Sequence, residues 1–158
     1  MNYRPLLFVV ATIICWGCYI PTLHKGQTFL GGGSPGKGSL RAFLLVGVAY
    51  FLTAVLVPLG LLYSTEWEPR TFDGSGIRWA LVAGVLGSLG ALGIILALKT
   101  GGTPQWVPSL VFAGAPIVNV LVTMLWLHKP ANPPNPLFYV GMILAATGAG
   151  MVLYFKPA

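Results

Sequence analysis

An all-α fold, a polytopic membrane bundle of about five transmembrane helices, is what this sequence predicts. Three observations lead there. Of its 158 residues, 56% are hydrophobic and only 8% charged, where a soluble domain carries roughly 25% charged residues. The apolar residues fall in long runs free of Asp, Glu, Lys and Arg, each close to the roughly 20 residues that cross a bilayer core. The charged residues collect where those runs end. Such a chain has too little polar surface to face water, and one membrane domain over residues 1–158 is the natural organisation.

The first span is expected over about residues 5–23, and the second over about 42–63. The third covers about 79–98, the fourth about 105–127 and the fifth about 137–155. Helix is the only spanning structure these runs allow. Lipid offers no partner to an open backbone amide, and the alternation of barrel strands is missing. Between the spans, His24 to Arg41 holds Gly31-Gly32-Gly33-Ser34-Pro35-Gly36 and reads as a flexible loop. Ser64 to Arg78 holds Pro69 and the acids Glu66, Glu68 and Asp73, which read as solvated. Lys99 to Pro104 is a tight glycine-rich turn, and Lys129 to Pro136 contains four prolines, which cannot continue a helix. Tyr63, Trp67, Trp79, Trp126, Tyr139 and Tyr154 mark several membrane boundaries.

Charge and terminus narrow the function classes. The net charge of +6 is scattered at span ends, where basic residues meet lipid headgroups, so no nucleic-acid partner is expected. Arg4 followed by an apolar run resembles a signal peptide, and Gly17-Cys18 faintly resembles a lipoprotein cleavage site. The run continues to Leu23 with Trp16 beside the cysteine, so an uncleaved span is expected.

Helices associate in lipid largely by close packing. The third span offers Gly84, Gly87, Gly90 and Gly93, with a stricter stripe at Ala83, Gly87 and Ala91. The fifth repeats the device from Gly141 through Ala145 and Ala149. These are the expected helix-packing positions, inside the bundle or at a subunit interface. A leucine at Gly87 is accordingly expected to force neighbouring backbones apart.

The order of motifs resembles one EamA-like domain of the drug/metabolite transporter superfamily. Cys15-Trp16-Gly17-Cys18-Tyr19-Ile20-Pro21 is similar to the family's Trp-Gly opening helix. Ser39-Leu40-Arg41-Ala42-Phe43 resembles its Arg-led entry to helix two. Gly84-Val85-Leu86-Gly87 through Ala97-Leu98-Lys99 resembles helix three with its Ala-Leu-Lys exit. Ala113-Gly114-Ala115-Pro116-Ile117-Val118 resembles the mid-helix proline of helix four, and Gly141 through Gly150 the Gly/Ala-rich helix five. The resemblance covers nearly the whole chain and implies transport of a small organic metabolite by alternating access. Two departures stand out. Leu127-His128-Lys129 replaces the family's frequent Gly-Glu pair, and this chain has one five-helix unit where typical members have two in inverted orientation. The small multidrug resistance relatives carry an acid in the first helix; none stands in this first span.

Polar and aromatic residues inside the membrane are the candidate substrate-binding set: Trp16, Tyr19, Tyr50, Trp106 and Asn119, expected to face one interior cavity. Thr53, Ser88, Gln105, Ser109 and Thr123 are further intramembrane polar candidates. Asn119 is the sharpest, because its amide has no local partner in a helix; an interhelical hydrogen bond is the structural alternative. Pro108 and Pro116 are expected to interrupt the fourth span and free carbonyls. Gly31 to Gly38 nearly spells a phosphate loop but lacks the hydroxyl residue and the preceding strand.

The expected function is therefore a non-enzymatic membrane transporter, without cofactor or metal, in the cell (inner) membrane. It would act with a small-molecule substrate and a homodimeric or paralogous partner half. The basic residues divide four against five between the two sides of a five-span chain, too even to fix one orientation. An accessory membrane subunit is the alternative, and a thiol oxidoreductase using Cys15 and Cys18 is a third reading. No further cysteine could relay electrons.

Overall fold

The computed structural model describes residues 4–127 and 134–156. It is all-helical, with no strand among the described residues. Among these residues five helices are long and apolar enough to cross a membrane. They are α1 (Arg4–Leu30), α2 (Pro35–Ser64), α3 (Gly74–Lys99), α4 (Val107–Trp126) and α5 (Pro136–Tyr154). The chain is thus built as a multi-pass membrane protein. His128, Lys129 and the predicted proline-rich break as far as Pro133 lie outside the described residues.

The helices outrun the apolar runs. With 27 residues, α1 is about 40 Å long at 1.5 Å per residue, against a hydrocarbon core of about 30 Å. Apolarity decides which residues meet lipid tails, but the hydrogen-bond ladder continues through His24, Lys25 and Gln27 to Leu30. The predicted flexible loop from His24 to Arg41 is therefore mostly helix, and the turn is confined to Gly31–Ser34. Gly32 and Gly33 take φ of 61° and 94°, a left-handed conformation that only glycine adopts freely. Their amides close the helix: Gly32 N donates to Phe29 O at 3.2 Å and Gly33 N to Thr28 O at 2.9 Å. Pro35 then opens α2 in its first turn, where its missing N–H leaves nothing unpaired.

A π turn at Leu52–Leu56 interrupts α2 one turn before Pro58. Proline there cannot donate to Ala54 and loosens that turn. The α2 C-terminus is closed by Thr65, whose N–H donates to Leu61 O at 2.9 Å. Arg70 also donates to Leu62 O at 3.0 Å and Tyr63 O at 3.4 Å. Asp73 is more than a solvated acid: its Oδ2 accepts from Ser75 N at 2.9 Å and Gly76 N at 3.0 Å, capping α3. Asn135 does the same for α5, accepting from Leu137 N at 2.9 Å.

The chain divides into two compact units, Met1–Ile20 with Gly102–Ala158, and Pro21–Gly101. In the first, α4 packs on α5 and the N-terminal stretch of α1 meets α4 through Trp16 and Phe112. In the second, α2 packs on α3. Its core is buried at Leu23 and Gln27 of α1, Gly38, Ser39 and Ala42 of α2, and Ala91, Ile94, Ile95 and Leu98 of α3. A Cβ at Gly38 would overlap the Gln27 carbonyl, so α1 and α2 touch backbone to backbone there, which only glycine permits.

Candidate solute site

The candidate site lies in the first unit and begins with Trp16. On α1 the spacing from Trp16 to Tyr19 sets the two rings on neighbouring turns. Their centroids are 5.7 Å apart at 61°, an edge-to-face pair. Phe112, from the second turn of α4, meets Trp16 at 5.8 Å and 86°. Beside this aromatic cluster is a cavity of about 420 Å³ lined by Thr12, Ile13, Trp16, Gly17 and Phe112. The volume suits a small organic molecule. Among the described residues no charged side chain lines it, and the one hydroxyl on its wall, that of Thr12, donates to Phe8 O at 2.8 Å. Gly17 leaves the wall open: a Cβ there would meet no atom within 4 Å.

The other predicted substrate-binding residues divide. Trp16 and Tyr19 are brought into ring contact, but only Trp16 lines the cavity. Trp106 stands at the N-cap of α4, and the Lys156 ammonium lies 4.6 Å from its ring centroid, a cation–π contact within the first unit. Asn119 follows Phe112 by two helical turns on α4. Its side chain is exposed and hydrogen-bonds to none of the described residues, and it does not line the cavity. Tyr50 belongs to α2 in the second unit and is 44% exposed.

Several polar groups turn back on their own helices. Thr53 donates to Ala49 O at 2.9 Å, Ser88 to Val85 O at 2.9 Å and Ser109 to Gln105 O at 3.4 Å. Such bonds satisfy a hydroxyl in lipid without any neighbour. Pro108 does not interrupt α4 as the sequence suggests; it sits in the first turn, and Pro116 alone is inside. Gly84, Gly87, Gly90, Gly93 and Gly141 each face open space, with nothing within 4 Å of an added Cβ. Cys15 and Cys18 are free and exposed. No metal-binding group of three His, Cys, Asp or Glu side chains occurs among the described residues.

Sequence reasoning passed over Phe112, which reads as one more apolar residue of a span. It also passed over a polar junction in the second unit. Gln27 is fully buried, and both its amide oxygen and nitrogen lack a partner among the described residues, as does the buried Nδ1 of His24. Ser39, also buried, donates to Pro35 O at 3.0 Å. The four-residue spacing of Leu23 and Gln27, which puts both on one helix face past the apolar run, is the signal that could have found it. No protein-family model, curated protein or solved structure matches the chain.

Proposed function

We propose that this chain is a half-size, EamA-like transporter unit that moves a small, uncharged or zwitterionic organic solute across the cell (inner) membrane by alternating access. The observation that carries the reading is the charge-free aromatic cavity on two membrane-spanning helices, walled by Trp16, Gly17 and Phe112. Aromatic faces and an open backbone bind an organic body, and the absence of charge on the wall disfavours a strongly charged solute. The motif order from Trp16-Gly17 to Gly150 supports the family assignment. One five-helix unit is half of the usual transporter, and the near-even Lys/Arg balance suits two copies in opposite orientation, restoring an inverted pair. Purified protein in sealed vesicles, screened for uptake of labelled neutral and zwitterionic metabolites, tests this. At least one solute should be taken up by the parent and lost in Trp16→Ala; no uptake of any solute above empty vesicles rejects it.

An accessory membrane subunit is the second reading, favoured by the open glycine face of α3. It expects the chain to migrate only with a larger partner after gentle detergent extraction, and transport expects a self-contained dimer.

A further inference from the structure

The two ends of the α2–α3 hairpin, in the second unit, carry different charge. Its turn, between Ser64 and Gly74, holds all 3 acids of the chain, Glu66, Glu68 and Asp73. Its open end holds cations alone. Lys37 and Arg41 stand four residues apart on one face of α2, and the Arg41 guanidinium donates to Lys37 O at 3.2 Å. Lys99, the last residue of α3, is drawn to the same place: a Cβ added at Gly36 would lie 3.6 Å from Lys99 Cγ and 3.8 Å from Lys99 O. All three basic residues are exposed. With 30 residues, α2 is about 45 Å long, so the acids stand several Debye lengths away and do not neutralise the cluster. Lys37 and Arg41 come just before the apolar run of α2, and Lys99 just after that of α3. The cluster is therefore at the membrane boundary, where lipid headgroups lie.

We propose that Lys37, Arg41 and Lys99 form a binding site for the headgroup of an anionic phospholipid. Charge complementarity selects the occupant: three cations without a nearby acid favour a headgroup of net negative charge. A phosphatidylcholine headgroup brings a quaternary ammonium that the same cations repel. Arginine can take two phosphate oxygens in its planar fork, and the two lysines add point charges beside it. The acyl chains have a surface to follow, because Leu44 and Leu45, one turn further into the membrane from Arg41, are exposed. The site belongs to the second unit and stands apart from the solute cavity, which belongs to the first.

The test measures equilibrium binding of phosphatidylglycerol and phosphatidylcholine, labelled on the same acyl chain, to the full chain in a neutral detergent. The parent should favour phosphatidylglycerol, and the preference should fall as salt is added. Lys37→Gln, Arg41→Gln and Lys99→Gln should each weaken phosphatidylglycerol by about fivefold, the effect of one basic residue at an anionic surface, and leave phosphatidylcholine as it was. Lys37→Arg and Lys99→Arg keep the charge and should keep the preference. Arg78→Gln removes the same charge at the far end of the hairpin and should change nothing. Equal binding of the two lipids by the parent overturns the proposal. So does a loss in Arg78→Gln equal to that in the cluster variants, which would make the preference a matter of net charge alone. Displacement of the lipid by inorganic phosphate at matched concentration also overturns it, since the site would then serve a free anion.

Discussion

The two stretches of α1 make opposite use of the same helix. Before Pro21, the stretch from Thr12 to Tyr19 presents large rings next to glycine, and a cavity of about 420 Å³ stands open against Phe112. After Pro21, Leu23 and Gln27 are sealed into a core with Gly38, Ser39 and the end of α3. The open stretch is apolar on its wall; the sealed one holds an amide and an imidazole nitrogen without partners among the described residues. Glycine works in opposite senses too. At Gly17 the missing side chain leaves room for something else, and at Gly38 it lets two backbones meet. Polarity and free volume therefore mark different stretches of α1.

The largest effect should come from closing the sealed stretch with a side chain. Gly38→Leu drives a Cβ into the Gln27 carbonyl and should destabilise the chain by about 3 kcal/mol, the upper end of overpacking. Thermal unfolding in detergent measures it, and a melting temperature equal to the parent's would show that α1 and α2 are not in backbone contact. Next is Gln27→Met, which keeps the volume and removes two unpaired polar atoms. Because each such atom costs about 1–3 kcal/mol, the variant should melt higher than the parent; a lower melting temperature would mean that the amide holds a partner in the membrane.

Smaller changes sharpen the contrast. Asp73→Ala removes the α3 cap and should cost about 1 kcal/mol, visible as faster amide exchange at Ser75 and Gly76. Unchanged exchange would mean that the cap contributes nothing. Gly87→Leu is expected to shift the stability of the chain by less than about 0.5 kcal/mol, since no atom stands within 4 Å of its Cβ position. That differs from what the glycine stripe alone suggests. A large loss in a dilute, monomeric sample would show that α3 packs through this face within the chain.

Much of the fold was legible because the bilayer imposes a simple rule: long apolar runs without charge must be helices. Five runs gave five helices. Helix ends were not legible from hydropathy, because the backbone ladder of α1 needs no apolar side chain to continue past Leu23. What stops it is the left-handed conformation at Gly32 and Gly33, a glycine signal that reads equally well as loop. Asp73 likewise reads as a solvated acid until the Ser75 and Gly76 amides are seen to turn toward it. In the candidate site, Trp16 and Tyr19 could be singled out as aromatic groups inside a span. Phe112 could not, because its importance is a contact across two helices and its residue type is common in any lipid-facing run. Asn119 drew attention as an amide well inside a span, yet its side chain is exposed. Single-helix spacing cannot tell which face of α4 meets α1.

The central claim is that the cavity beside Trp16 opens to a solute. It is tested most directly by placing a thiol on its wall. Cys15→Ser and Cys18→Ser first remove the two native thiols, and Gly17→Cys then reports from the cavity. A small water-soluble thiol reagent should label this variant in sealed vesicles, and a transported solute should slow the labelling in proportion to its occupancy. Labelling that no transported solute slows, or a thiol at position 17 that stays unreactive while the protein remains folded, would contradict the account.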